Sequence, residues 1–303
     1  MAALNYATEY ARELAQAYPY ALYFGRIWSA TKPEVKFLDN KTIQLPSLST
    51  TGRVNGDRDT IGTFARNFDN DWESKTLKNH RTWGTLVHPR DIDETNKVAS
   101  IANITKVFNE EQKFPELDAM AISTLYSLKN EQETVTALAK GTITLENVLE
   151  YFDGLMDKMD EARVPANGRL LYVDTYTKTM IDTAKESARF LSASDTAVKR
   201  SLNRIDEVEI IPVPTAMMKT AYTFATGADG KNGYEVASNA KNVKMFLVHL
   251  SAVIPAINYE FAQLEAPSAL SQGKYVYFEE SFEDLFIYNK KHTAIQFIVE
   301  NNA

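Results

Sequence analysis

The stretch from Asp91 to Lys129 constrains the fold more than any other part of the chain, because its pattern is helical throughout. Asp91 suits an N-cap, and Glu94 stands where its carboxylate can bond back to that cap. The face that follows is apolar at three- and four-residue steps, at Val98, Ile101, Ile104, Val107 and Phe108. Pro115 predicts the end of this helix. A second helix is expected directly after it, with an apolar face of Leu117, Met120, Ala121, Thr124, Leu125 and Leu128. Together the two helices form a predicted spine.

Composition excludes several classes of protein. The chain has 303 residues, a net charge of −7 and no basic block, so direct nucleic-acid binding is not expected. It has no cysteine, which excludes disulfides, thiolate metal sites and thiol nucleophiles. We expect no signal peptide, because no basic and then apolar leader opens the chain. The most apolar window, residues 243–257, is too short to span a bilayer and predicts a buried pair of strands.

The chain before the spine is extended and polar. Residues 2–18 predict a helix, and an aromatic segment with Tyr20 and Trp28 follows it. Lys41–Leu45 alternates like a strand, and Trp72–Leu77 is its expected partner. The polar run between them is too long for a loop in a compact domain. We therefore expect a hairpin that a partner orders; the alternative is a loop folded onto its own domain.

The chain after the spine predicts an α/β domain over about 130–255. Helices are expected from Thr144 to about Ala162, and after Asp174 or Thr175 to about Ala188. The expected strands are 170–173, 208–213, 243–249 and 252–257, with a turn at 227–233. The tail predicts strands at 274–282, 284–289 and 293–299, in a separate small sheet beside 82–88 and the spine.

Three segments carry a resemblance to a known family. Arg163-Val-Pro-Ala-Asn-Gly-Arg-Leu-Leu-Tyr-Val173 is similar to the P-x-x-G-R-x-L-Y-V segment of tailed-bacteriophage major capsid proteins. Val208-Glu-Ile-Ile-Pro-Val-Pro214 with the turn at Met218 resembles the next strand of that family, and so does Val243-Lys-Met-Phe-Leu-Val-His249. The order of arm, long loop, spine, α/β domain and returning strands also matches.

The resemblance implies an α+β, Hong Kong 97-like capsid fold. Its expected parts are an N-terminal arm (1–33), an extended E-loop hairpin (34–81), a P domain with the spine helix (82–129), an α/β A domain (130–255), and returning strands of the P domain (256–303). The implied function is a major capsid protein that self-assembles, as pentamers and hexamers, into the icosahedral shell of a tailed phage. Implied partners are copies of itself, a portal, decoration proteins and a separate scaffolding protein, if any. We expect no proteolytic loss of the N-terminus.

Candidate interface residues lie in the arm and the loop. Aromatic side chains are favoured interface anchors, which singles out Trp28 and Trp72. Charges of both signs near the loop tip are candidates for pairs that set register between subunits: Arg53, Asp57, Arg58 and Asp59. The alternative for each of the three tryptophans is a local core position, which for Trp83, beside the spine, fits equally well or better.

Candidate catalytic groups are few. Glu150, Asp153, Asp157 and Asp160 share one helical side, which permits a metal or acid–base site but is more typical of a solvated face. The four histidines are scattered, and Gly227, Gly230 and Gly233 predict a hairpin turn rather than a phosphate loop. We therefore predict no catalysis, cofactor or metal. Two alternatives stay open: an encapsulin-like cargo compartment, and an α/β enzyme that uses Asp153 or Asp157.

Overall fold

The computed structural model describes residues 20–30, 36–37, 41–53, 55, 66–94, 100–190, 204–205, 208–227 and 231–301. The helices, in chain order, are α1 (Gly25–Trp28), α2 (Pro89–Glu94), α3 (Ile101–Phe108), α4 (Phe114–Gln132), α5 (Val148–Glu161) and α6 (Thr175–Phe190). The strands are β1 (Lys36–Phe37), β2 (Thr42–Thr50), β3 (Phe68–Thr76), β4 (His80–Val87), β5 (Ala137–Leu138), β6 (Arg169–Asp174), β7 (Arg204–Ile205), β8 (Val208–Val213), β9 (Tyr222–Phe224), β10 (Tyr234–Val236), β11 (Asn242–His249), β12 (Val253–Glu265), β13 (Tyr275–Ile287) and β14 (Ile295–Glu300). The helix predicted over residues 2–18 lies outside the described residues.

Two sheets and the spine organise these elements. The large sheet has the strand order β5-β14-β11-β6-β8-β7, and the outer sheet has the order β12-β13-β4. The large sheet is mixed, since β6 runs parallel to β8 and antiparallel to β11. One face of it shares a core with α4, and the other packs on α5 and α6. The hairpin β2–β3 forms a third sheet with β1 at its edge, and its distal half projects into solvent, because residues 48–53 and 66–72 are exposed.

The spine is continuous where the sequence predicted a break. A π-helical turn at Asn109–Lys113 joins α3 to α4, and the Phe114 N–H donates to the Asn109 carbonyl. Pro115 stands in the first turn of α4 and does not end the helix. The prediction that it does was wrong. The wider turn just before it accommodates a residue that has no N–H and whose ring crowds the preceding carbonyls.

The predicted start of the spine was also wrong. Asp91 lies inside α2, and α3 is capped instead by Ser100, whose Oγ accepts a hydrogen bond from the Asn103 N–H. Helix α5 likewise begins later than predicted. The Thr144 carbonyl accepts the Val148 N–H at 3.0 Å in a turn that precedes the helix. The predicted inward face of α5 is confirmed, since Val148, Phe152, Leu155 and Met159 are all buried.

The strands of the apolar window do not pair with each other. β11 lies inside the large sheet, while β12 is an edge strand of the outer sheet, and a single helical turn at Leu250–Ala252 carries the chain across. The predicted pair was therefore wrong, although both strands exist. In the tail, the two predicted strands at 274–289 form the single strand β13, which pairs with β4 as expected.

The last strand enters the large sheet rather than the small sheet that the sequence predicted. β14 pairs with β11 and with β5, and all of its residues are buried. Ile295, Phe297 and Val299 pack in the core shared with α4, while Ile298 packs on the α5 side. A strand whose residues are all buried needs a sheet covered on both faces, and the large sheet, which packs on α4 on one side and on α5 and α6 on the other, offers that environment.

Candidate subunit interface

The base of the β2–β3 hairpin is anchored in its own subunit. Ile43 and Leu45 are buried and pack with Ile254 and Phe286 of the outer-sheet strands. The Lys290 Nζ also donates to the Leu48 carbonyl at 3.0 Å. The predicted pairing of the two strands is confirmed, with Leu45 opposite Glu73. The base therefore needs no partner to order it, contrary to the expectation for the whole hairpin.

The distal half of the hairpin carries an exposed apolar stripe. The register pairs Pro46 with Trp72, Leu48 with Asn70, and Thr50 with Phe68. Side chains two residues apart on a strand share a face, so the apolar members Pro46, Leu48, Phe68 and Trp72 lie together. Leu48 is 63% exposed, Phe68 52% and Trp72 46%. The buried Ile43 and Leu45 belong to the opposite face, so the stripe faces away from the subunit's own core.

The predicted interface residues fall into three groups. Trp72 lies in the stripe, and Arg53 is exposed just beyond the end of β2. Asp57, Arg58 and Asp59 lie outside the described residues. Trp28 is only 9% exposed and belongs to the main core, so its own chain already covers it.

Trp83 has the local packing role that the sequence left open. Its ring stacks on Phe108 of the spine, with ring centroids 3.8 Å apart and an angle of 9° between the planes. Beside it, the Lys113 Nζ reaches the Glu279 carboxylate at 3.1 Å, and the Arg81 guanidinium binds Glu116 of α4. One face of the outer sheet therefore packs on the spine and is held to it by two ion pairs.

The other face of the outer sheet has exposed apolar side chains that the sequence reasoning missed. Leu86 is 60% exposed, and Phe261 and Phe278 are each 39% exposed. The register places all three on the face opposite Trp83, and the Phe261 and Phe278 ring centroids are 6.3 Å apart. A signal was present in the sequence. Residues 275–278 are aromatic or apolar at every position, and Leu86 and Val87 are adjacent on β4, so both faces of these strands carry apolar groups.

Buried carboxylates fix the chain where the hairpin returns to the outer sheet. Asp284 accepts the backbone N–H of Lys78 at 3.0 Å and that of Leu285 at 2.9 Å. Burial raises the pKa of Asp284, although these donors oppose the shift. Burial also raises the pKa of Glu283, which accepts a hydrogen bond from the Ser281 hydroxyl.

The acidic side of α5 does not assemble a catalytic centre in the described residues. Asp160 binds Arg169 at 2.6 Å, which uses this carboxylate structurally. A cavity of about 450 Å³ lies between α4, α5 and β14, but neither Asp153 nor Asp157 lines it. Within the ranges that the structure describes, no group of three or more His, Cys, Asp or Glu side chains is placed to hold a metal ion. In the same ranges, no helix combines the length and apolar character needed to cross a membrane.

Comparisons with known proteins agree on the fold. No protein-family model and no curated protein matches this chain. Among solved structures, the mature capsid of bacteriophage PhiM1 superposes with a TM-score of 0.69 at 9% identity, over 99% of this chain and 93% of that one. The capsid of the cyanophage P-SCSP1u gives a TM-score of 0.64 at 11% identity, over 98% and 93%. The capsid of an empty GTA particle gives 0.59 at 11% identity, over 97% and 95%.

The chain therefore has the Hong Kong 97-like fold of tailed-phage capsid structures, over nearly its whole length.

Proposed function

We propose that this chain is the major capsid protein of a tailed bacteriophage, a structural subunit that self-assembles into the icosahedral shell around the genome. The observation that carries the proposal is the apolar stripe on the hairpin. The base of the hairpin packs on the subunit's own core, yet Leu48, Phe68 and Trp72 face away from that core and stay exposed. An exposed apolar patch on a projecting element is typical of an interaction surface.

The magnitude of this contact fits assembly from many weak contacts. Full burial of a large apolar side chain stabilises by about 1.5–3 kcal/mol, and these three are roughly half exposed. Burying the exposed part of the stripe against a neighbouring subunit then contributes about 3 kcal/mol per hairpin to the free energy of association, before the entropic cost of ordering the side chains is subtracted. One such contact is too weak to hold a dimer. In a closed shell, however, each subunit donates one hairpin and receives another, so the contacts accumulate.

The domain organisation belongs to the same proposal. The arm (1–33) and the E-loop (34–81) lap over neighbouring subunits, the P domain (82–129 and the returning strands from 256) forms the shell wall, and the A domain (130–255) meets its copies about five- and six-fold axes. The projecting hairpin supports the E-loop assignment, and the fastening of the outer sheet to the spine supports the P domain. The entry of β14 into the large sheet favours counting that strand with the A domain.

The role is structural, without catalysis or a cofactor, and the place of the protein is the virion. We propose that shells assemble in the host cytoplasm, with a portal, with decoration proteins and with a scaffolding protein that is a separate chain, if one is used.

Electron microscopy of the purified chain tests the proposal, and we expect closed shells. A shortened hairpin, in which an Asn-Gly turn joins Ser49 to Asp69, should fold but form no shells, because these residues are directly paired and the turn suits a two-residue hairpin. Trp72→Ser should weaken assembly as well. Leu145→Ser is the matched control, since Leu145 is 44% exposed and lies outside the hairpin.

Two results would contradict the proposal. One is a wild-type chain that stays monomeric at every concentration and salt condition at which shells are sought. The other is normal shells from the shortened hairpin. Shells isolated from cells should contain DNA; shells that hold an enzyme as cargo instead would indicate a cellular compartment.

A further inference from the structure

A short N-terminal segment crosses the junction between the spine and the large sheet. In this segment, residues 20–30, Phe24 and Ile27 are fully buried in the main core. The Phe24 ring lies against Tyr172 of β6 at a centroid distance of 4.7 Å and near Phe246 of β11 at 6.2 Å. The segment therefore packs on the face of the large sheet that also receives α4.

The same segment is tied to the spine through one side chain. Asp118 of α4 accepts hydrogen bonds from the Tyr20 hydroxyl at 2.8 Å, the Tyr23 N–H at 2.8 Å and the Phe24 N–H at 2.9 Å. Both carboxylate oxygens are used. A few residues later, Arg26 pairs with Glu209 of β8, but this pair is largely exposed and so contributes little.

Asp118 is an unusual anchor because it is buried without a counter-ion. Its side chain is fully buried, and none of the ion pairs in the described part of the chain includes it. The titratable groups around it are phenols: Tyr20 on the segment, Tyr172 on the large sheet, and Tyr222 and Tyr234 on the β9–β10 hairpin. Burial raises the pKa of Asp118 to about 6, although the three donors oppose the shift.

We propose that residues 20–30 form a detachable strap, latched on Asp118, that holds α4 against the large sheet and lets the two shift when it is released. Among the described residues, the contacts that otherwise join these two elements are apolar, and the polar hold of the strap on α4 is concentrated at one carboxylate. Asp118 acts as a positioning residue. The inference does not depend on the proposed shell function.

Because Asp118 is buried, the stability of the latched strap depends on pH, and the sign of this dependence follows from the raised pKa. When the strap lifts, the carboxyl is exposed and returns towards its ordinary pKa of 3.8, whereas the latched state has a pKa of about 6. The latched state therefore holds the proton more tightly. Its extra stability is full below pH 3.8 and is lost as the pH rises through 6. By this linkage the equilibrium constant for strap opening increases about tenfold between pH 5 and pH 8.

Hydrogen exchange of the full chain measures this opening directly. Exchange of the peptide that covers residues 20–30 is followed at pH 5 and pH 8 and corrected for the intrinsic rates. Strand β14 is the internal reference, because it is buried in the same core without contacting Asp118. We expect the strap to open about tenfold more readily at pH 8, through openings in which β14 remains protected.

Asp118→Asn removes the titrating group, so its strap should open to the same extent at both pH values. Asp157→Asn, an exposed Asp on α5, is the matched control and should retain the wild-type pH dependence. Three results would overturn the proposal: strap opening that does not depend on pH in the wild type, the same pH dependence in Asp118→Asn, or a strap that opens only together with β14. The wild-type experiment alone still decides the matter if Asp118→Asn fails to fold.

Discussion

Two leucines on strand β2 should have opposite effects on folding and assembly. Leu45 is 1% exposed and packs in the cluster under the hairpin base, whereas Leu48, on the opposite face, is 63% exposed. Truncating a buried leucine to alanine costs about 2–5 kcal/mol, because transfer and cavity terms add. For Leu48 only about a third of the side chain is buried, so the same truncation should cost about 0.5–1 kcal/mol.

The assay is urea unfolding of the unassembled chain, followed by light scattering under assembly conditions. Leu45→Ala should lower the free energy of unfolding by several times as much as Leu48→Ala. Leu48→Ala should leave the subunit close to wild-type stability and yet slow or reduce assembly. Equal losses of stability in the two variants would refute the assignment of faces. A Leu48→Ala chain that assembles like the wild type would show that the stripe takes no part in subunit contacts.

Two further predictions concern helix α5 and the turn between α5 and β6. Arg169→Met should lower the free energy of unfolding by about 3–5 kcal/mol, because the buried guanidinium of Arg169 donates to the carbonyls of Val164 and Pro165. Asp160→Asn should lower it by under about 1 kcal/mol, because the Asp160 side chain is 61% exposed. Similar unfolding midpoints for the two variants would contradict this. Gly154→Ala should stabilise the folded chain by about 0.5–1 kcal/mol, because Gly154 lies within α5 with open space around it. Gly168→Ala should destabilise the folded chain by about 1–2 kcal/mol, because Gly168 has a φ of +91°. Thermal melts check the signs, and a stabilised Gly168→Ala would refute the second.

Features that depend on neighbours in sequence were predictable. The predicted cap of α6 is confirmed, because the Asp174 carboxylate accepts the Thr177 N–H at 2.9 Å. The four inward residues of α5 and the pairing of Lys41–Leu45 with Trp72–Leu77 also follow from periodicity. In each case the signal lies within one helix or one strand, where the spacing of side chains decides which face is apolar.

Features that depend on distant partners were not predictable in the same way. A proline in a helical pattern normally indicates the end of a helix, and the sequence gives no sign of the π-helical turn that lets α3 continue into α4 before Pro115. Trp28 is of a residue type that favours interfaces, yet it is buried in the main core of its own chain. Leu86 and Phe278 lie in strands that the sequence predicted, but their side chains stay exposed because they face away from the spine.

The amino-acid sequence by itself determined most of the helices and strands, though not all of their ends, which of their faces are apolar, and the order of arm, loop, spine and α/β domain that resembles a capsid protein. The tertiary structure alone decided which apolar faces are covered by the chain itself and which remain exposed. The reason is physical. Burial depends on how all the elements fill space together. Alternation along the strand places Leu45 and Leu48 on opposite faces, but only the packing of distant elements decides that the face of Leu45 is covered and the face of Leu48 is not.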